Sequence, residues 1–292
     1  MLKSLKQIRD EINTVSGYKI IIGTSIVLFF LFIAFAAPHL TQWDPEKQGV
    51  GPRLEKPSGE HKLGTTYMGY DLFSRTLFGT RTALSVVLIA TALAMAIGIP
   101  LGLISGYIGG YSDRLMVLIT DALYSFPGIL LALLVAAILG GGIINAALAV
   151  SVVYIPQYFR VIRNHVMSVK EELYVKGAEA IGSPKRDTII KYILPNVSQS
   201  IPVILTLNAA DGVLTLAGLS FLGFGITPPT PSWGYDLKTA SSYLGLAESY
   251  PEVWYWSLVP GLAIVVLILG FTLLGEGLND ILNPKLREGR RR

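Results

Sequence analysis

The sequence predicts an all-α membrane protein of six transmembrane helices with both termini cytoplasmic. Three observations predict it. Lys, Arg, Asp and Glu make up only 15% of 292 residues and apolar types 51%, with a mean hydropathy of +0.53. An ordinary soluble domain carries about 25% charge. The uncharged stretches are long enough to cross hydrocarbon, which takes about 20 mostly apolar residues on a helix. Basic residues gather on alternate connecting segments. The lack of cysteine excludes disulfides, thiolate metal sites, iron–sulfur clusters and a cysteine nucleophile. The long apolar runs exclude an intrinsically disordered chain.

The first span, 20–37, holds 18 residues without a charge. That exceeds the 7–15 residues of a signal-peptide core, and no clean small-residue cleavage site follows, so it reads as a retained helix behind a cytoplasmic N-terminus at 1–19. Segment 38–81, with Pro, Gly and mixed charge, reads as an extracytoplasmic loop and lead-in to the second span. A core of five helices occupies 82–275. From 82 to 112 there are 31 uncharged residues, giving a span at 83–106. From 122 to 159 there are 38, too many for one helix, and Gly140-Gly141-Gly142 divides them into spans at 115–138 and 143–159. The fifth span, 201–222, contains one acid, Asp211, and the sixth, 255–275, contains none. Pro100, Pro127, Pro156, Pro202 and Pro260 fall in or beside these spans, which membrane helices tolerate because neighbouring groups satisfy the freed carbonyls. A basic tail, 276–292, closes the chain.

With the N-terminus inside, segments 1–19, 109–114, 160–200 and 276–292 carry 17 basic and 10 acidic residues, whereas 38–81 and 223–257 carry 7 and 8. Positive charge favours the cytoplasmic side. The sequence pI of about 9.1 then follows from topology and anionic lipid, without nucleic acid. Gly98, Gly102, Gly106 and Gly110 recur every fourth residue, so at least the first three share a helix face that lets another backbone approach closely. Gly109-Gly110 also reads as a simple turn.

The loop after the fourth span is about 40 residues long and has a plan of two short helices. Ser168 caps the first, Glu171 and Glu172 suit its positive end, and it stops at Gly182. Ser183-Pro184 opens the second, with Asp187 in its first turn, and this helix runs to Pro195. Such a hairpin, 165–195, suits docking into a groove on a soluble partner. A packed, solvated connector has the same composition.

The stretch 174–196, YVKGAEAIGSPKRDTIIKYILPN, resembles the coupling-loop signature of ABC-importer permeases. Ala178, Gly182, Ile193, Leu194 and Pro195 fit the pattern, while Lys176 and Gly177 stand where Glu and Ala are usual. LGTTYMGYDLFSRTLFGTRTAL at 63–84, Asp121 with Phe126-Pro127, and LSFLGFGITPPTPSWG at 219–234 narrow the likeness to the dipeptide/oligopeptide permease family, C-type subunit. Leu216 occupies the place of an acid that usually precedes the last motif, and Asp211 is the nearest substitute. The resemblance spans roughly residues 20–285.

The resemblance implies a type I ABC importer permease fold in the cell membrane, a homologous second permease, two cytoplasmic ATP-binding subunits and an extracytoplasmic solute-binding protein. ATP and Mg would sit on the partner subunits, and this chain, which lacks a G-x-x-x-x-G-K-[ST] loop, would bind no cofactor and catalyse no reaction. Lys176, Gly177, Ala178, Gly182, Ile193, Leu194 and Pro195 become the expected ATPase-coupling residues. Acids at bilayer depth usually face a cavity or a partner. Asp211, beside Asn208 and Gly212, is the stronger candidate for the translocation path, whereas Asp121 either lines it, reaches the interface or pairs with Arg114. Trp233, Trp254 and Trp256 suit the headgroup layer, and both outer loops suit contact with the binding protein.

Other classes fit less well. An aspartyl protease dyad of Asp121 and Asp211 lacks glycine-flanked motifs, and His39, His61 and His165 are too scattered for metalloprotease chemistry. A secondary transporter would show an internal repeat, and none is evident. Cargo is read as a di- or oligopeptide, with oligosaccharide or nickel as alternatives. The three dispersed histidines and absent cysteine disfavour nickel.

Overall fold

In the computed structural model residues 15–244 and 254–282 are described. The expectations for 1–14 and 283–292, most of both terminal segments, lie outside the described residues. Nine helices are numbered in chain order: α1 (Val15–Leu40), α2 (Leu72–Ile108), α3 (Gly110–Tyr124), α4 (Gly128–Leu139), α5 (Ile143–Val169), α6 (Leu173–Ala180), α7 (Lys185–Leu222), α8 (Trp233–Leu244) and α9 (Trp254–Leu282). Among the described residues there is no strand, only an isolated bridge between Thr65 and Asp71.

Five helices (α1, α2, α5, α7 and α9) are long and apolar enough to cross a membrane, and α3 with α4 makes a sixth crossing if the bent pair is one span. That pair corrects the expected straight span at 115–138, because the two halves meet at 90°. Pro127 explains the break: it has no N–H to donate, and it pushes the residue before it out of helical geometry. The chain restarts as a helix when Leu131 N–H reaches the Pro127 carbonyl at 3.1 Å. The triple glycine then ends α4, with Gly140 at φ 81° and Gly142 at φ 121°.

Other boundaries also move. The second helix begins at Leu72, not 83, because Asp71 caps it by accepting from Ser74 N–H at 2.8 Å. The fourth runs on to Val169, since Arg160 and Arg163 lie outside the hydrocarbon stretch yet still suit a helix. Ser168 therefore lies inside α5 and caps nothing, and Glu172 holds the cap position of α6. Pro195 does not end the second limb of the hairpin. A π-helical turn at Thr188–Ile193 and a 3₁₀ turn at Ser198–Ser200 flank it, so the helical run from Lys185 reaches Leu222 without interruption.

The bundle is built around α2 and α5, which share its most extensive interface. A Cβ on Gly98 would sit 2.8 Å from the Ile155 carbonyl, on Gly102 2.7 Å from that of Phe159, and on Gly106 2.8 Å from that of Arg163. Gly110 faces open space at φ 69°, so the stripe packs over its first three members and ends in a turn. The α1–α9 contact uses the same device: a Cβ on Gly23 would lie 2.7 Å from the Gly270 carbonyl. Val87, Ala90, Ala147, Val150, Ala209 and Val213 fill the centre between α2, α5 and α7. Small side chains are what let membrane helices gain packing contacts where lipid removes any hydrophobic drive between them.

The two ends of the bundle differ. At one end Lys19 of α1 meets Glu276 of α9 at 2.8 Å, and the α6 hairpin lies on this same end. At the other end, Arg75 and Asp236 are both buried and pair at 2.9 Å. Arg75 also donates to the carbonyls of Pro45 at 3.0 Å and Pro229 at 3.2 Å and lies over the Tyr70 ring. One guanidinium thus ties the first loop, α2 and the PPTPSWG segment together. Trp233 is buried against Gly79 and donates to the Thr76 carbonyl at 2.9 Å, and Trp256 is buried as well. The expected place for these two rings in a headgroup belt is therefore corrected, and only Trp254 is exposed. Helix α8 was read as loop.

Candidate functional site: an exposed hairpin and an intramembrane polar seam

The hairpin is anchored on one side and open on the other. Val175 points inward with Ile193 and Val197, into an apolar cluster with Leu103, Ile162 and Val166. Tyr107 of α2 donates to Glu179 at 2.7 Å, and Lys170 donates to the Gly106 carbonyl at 3.0 Å. The turn after α6 closes in Schellman geometry, with Ser183 N–H on the Ala178 carbonyl and Gly182 N–H on that of Glu179, both at 3.0 Å. Gly182 sits at φ 85° with open space around it, so backbone conformation, not crowding, calls for glycine.

The opposite face is apolar and exposed. Leu173 and Ile181 are 86% and 85% exposed, with Tyr174 beside them and Gly177 leaving a flat step between. Residues 173, 177 and 181 recur every four positions and so share one helical face. Of the expected coupling residues, Lys176, Gly177, Gly182 and Pro195 are exposed and Leu194 is half-buried, whereas Ala178 and Ile193 are buried and face the bundle. Lys176 pairs with Glu171 at 2.7 Å, which holds the Glu171 carboxyl below its usual range and the Lys176 ammonium above its own. This exposed apolar face does not stand out in the sequence because the family pattern draws attention to residues that shape the hairpin. The four-residue spacing of Leu173, Gly177 and Ile181 was the available signal.

The candidate path residues separate into two places. Asp211 lies on the exposed face of α7, where the Tyr154 hydroxyl donates to it at 2.9 Å and also lies 3.2 Å from Thr215. Asn208, one turn earlier, is buried and lies beside the buried side chain of Tyr158. Tyr154, Tyr158 and Thr215 were not expected from the sequence. They show only once α5 and α7 are seen to pack together. Asp121 is elsewhere: Arg160, not Arg114, pairs with it at 2.8 Å, and the Tyr124 ring lies 4.2 Å from that guanidinium. The two acids have separate partners and form no dyad. Leu216 is buried in the core on a different face of α7 from Asp211, so Asp211 does not take the place of the missing acid. Nearer the hairpin, Asp113 accepts twice from Arg163, at 2.6 and 2.7 Å, and once from Ser105, which holds the start of α3 against α5.

A multi-pass helical bundle with a docking hairpin on one end and polar side chains in its interior is the membrane-embedded part of a transport system. The family described as binding-protein-dependent transport system inner membrane component matches residues 98–288, and this chain belongs to it as the inner-membrane permease subunit of an ABC importer. Three relatives carry the name glutathione transport system permease protein GsiD. That of Pectobacterium atrosepticum is 40% identical over 262 residues, covering 89% of this chain and 85% of the relative. That of Salmonella typhimurium is 39% identical over 268 residues, covering 91% and 86%. That of Escherichia coli O6:H1 is 37% identical over 262 residues, covering 89% and 84%.

Proposed function

We propose that this chain forms half of the translocation path of an importer for short peptides and takes its driving force from separate ATP-binding subunits docked on α6. The observation that carries this reading is the exposed apolar step of Leu173, Tyr174, Gly177 and Ile181 on a hairpin otherwise anchored to α2 and α5. In this reading the hairpin end is cytoplasmic, as are both termini, in line with the distribution of basic residues. ATP and Mg belong to two partner subunits, a homologous permease completes the path, and a solute-binding protein meets the end bearing Arg75 and Asp236.

The names of the relatives support a peptide-like cargo, glutathione being a tripeptide. Asp211 and Asn208 face the path in this reading, and Asp121 serves to hold α3 on α5 through Arg160. The test is the reconstituted complex with its binding protein. Glutathione or another short peptide is expected to raise ATP hydrolysis and to accumulate in vesicles, whereas oligosaccharide and nickel leave both at the basal level. Cysteines at 173 or 181 should cross-link to an ATP-binding subunit. Stimulation by sugar or nickel alone, or transport by this chain without an ATPase, overturns the reading.

A further inference from the structure

Where α5, α7 and α9 meet at the hairpin end, the bundle carries an open cavity of about 360 Å³, within the range of small-ligand sites. Its polar lining is His165 from α5, Asn196, Gln199 and Ser200 from the start of α7, and Asn279 from α9. Val161, Val203, Ile204 and Leu282 form an aliphatic floor. Among the described residues no Asp, Glu, Lys or Arg lines it. This cavity lies apart from the exposed step of α6 and from the Tyr154–Asp211 seam, so neither of those functions uses it.

The lining selects its ligand by chemistry. A bare phosphate or a metal cation would meet neutral side chains and no counter-charge among the described residues. Carboxamides each offer a donor and an acceptor and are therefore complementary to peptide groups, which offer the same pair. Their capacity is largely unspent. Asn196 uses one N–H on the Tyr192 carbonyl at 2.7 Å, and Ser200 donates to the Val197 carbonyl at 2.9 Å, leaving their oxygens to accept. Gln199, Asn279 and His165 make no side-chain hydrogen bond to another described residue.

We propose that this cavity is a second peptide site, opening on the hairpin side, whose occupancy slows the transport cycle. The proposal rests on the reading that the cargo is a short peptide and that the hairpin end is cytoplasmic. A peptide held here bridges three elements at once: Asn196 and Gln199 lie immediately after the hairpin, on the limb that moves with it, while His165 and Asn279 belong to α5 and α9. A ligand that fits one arrangement of these three walls stabilises that arrangement by its difference in affinity between states. Imported peptide returning to this site therefore opposes movement of the lever.

The test uses the complete complex in nanodiscs, where both faces are accessible. Radiolabelled glutathione, then trialanine, is titrated without binding protein, and ATP hydrolysis stimulated by loaded binding protein is measured at each concentration. The double variant Gln199→Leu with Asn279→Leu is run beside the wild type, with Asn279→Gln as the conservative control. Binding to the wild type with at least a twofold fall in stimulated hydrolysis is expected. The double variant should bind about tenfold more weakly, two hydrogen bonds being lost, and keep the uninhibited rate. The conservative variant should retain inhibition. Equal inhibition of wild type and double variant overturns the site, as does a wild type that transports peptide yet neither binds it here nor slows. If no peptide is transported at all, the functional reading falls, and this inference with it.

Discussion

Removing the Arg75 guanidinium should loosen the outer end of the bundle while leaving the hairpin end intact. Arg75 and Asp236 have side chains only 1% and 7% exposed, and the guanidinium is shared among the Asp236 carboxylate and the carbonyls of Pro45 and Pro229. Breaking a buried pair from one side costs about 3–5 kcal/mol, because the remaining charge stays buried without its partner. Arg75→Ala should lie at the upper end of that range, since it orphans two carbonyls as well as the carboxylate. Asp236→Asn should cost less, because the carbonyls still hold the guanidinium. Replacing both, Arg75→Met with Asp236→Leu, should cost less than the sum of the single changes. The sign of the pH dependence also follows. Burial pushes the Asp236 carboxyl up from its ordinary value, so the folded state binds its proton more readily than the unfolded one, and the loss of Arg75 raises it further. The deficit of Arg75→Ala should therefore shrink as pH falls from neutrality into the acid range. Hydrogen exchange of 226–244 against 173–181 in the purified complex is the assay. About 5 kcal/mol corresponds to exchange several thousandfold faster at the Arg75 end, with the hairpin unchanged. Equal protection in wild type and Arg75→Ala, or a double variant worse than the sum of its parts, refutes the reasoning.

Gly102→Val should abolish assembly, since even a Cβ would lie 2.7 Å from the Phe159 carbonyl and 2.9 Å from Ile162, whereas Gly110→Ala carries only the strain of φ 69°, about 1–2 kcal/mol. Yield and thermal stability of the purified complex separate the two. Leu173→Asp with Ile181→Asp should release the ATP-binding subunits from the permease on affinity purification while the permease remains folded; full retention of the ATPases would move the docking face elsewhere. Asp211→Asn should keep the hydrogen bond from Tyr154 and the assembly but lower peptide uptake at least tenfold, and unaltered uptake removes this carboxylate from the path.

Much of the architecture was legible because hydrocarbon imposes simple demands. Each crossing had to be apolar for about 20 residues, so five long helices fall where the uncharged runs lie. The glycine stripe on α2 could be read because a spacing of four is meaningful only on a helix face. What the sequence concealed depends on contacts between distant segments. Arg75 and Asp236 are 161 residues apart, and nothing local marks either as buried. Trp233 looks like any interfacial tryptophan until Gly79 is seen to make room for its ring. The break at Pro127 was equally hidden, since Pro100, Pro156, Pro202 and Pro260 lie in other spans that do not fold back. Here the hydrocarbon stretch is divided after only 12 residues of α4, too few to cross alone. Within the candidate site, the hairpin pattern revealed the glycine turn but not which side faces outward. That side is fixed by Val175 and Ile193 entering the cluster formed with α2 and α5.

Asp211 and the second limb of the hairpin are carried by one helix. From Lys185 to Leu222 the chain stays helical for 38 residues, about 57 Å at 1.5 Å per residue, although Pro195 and Pro202 both interrupt its backbone ladder. Two independent helices would let the hairpin move without disturbing the intramembrane seam. A single run does not, because a displacement of the second limb reaches Asp211 along the same helix, which Val197 also packs against α5. The π-helical turn and the two prolines concentrate any bending in the first half, on the hairpin side of Thr206. The remainder, packed on α2, α5 and α9, has no such soft place and must rotate or tilt as a body. Asn208 lies beside Tyr158 of α5 in this part, and Asp211 accepts from Tyr154 one turn further on. A rotation of this part of α7 therefore carries Asn208 and Asp211 past the two tyrosines of α5 together.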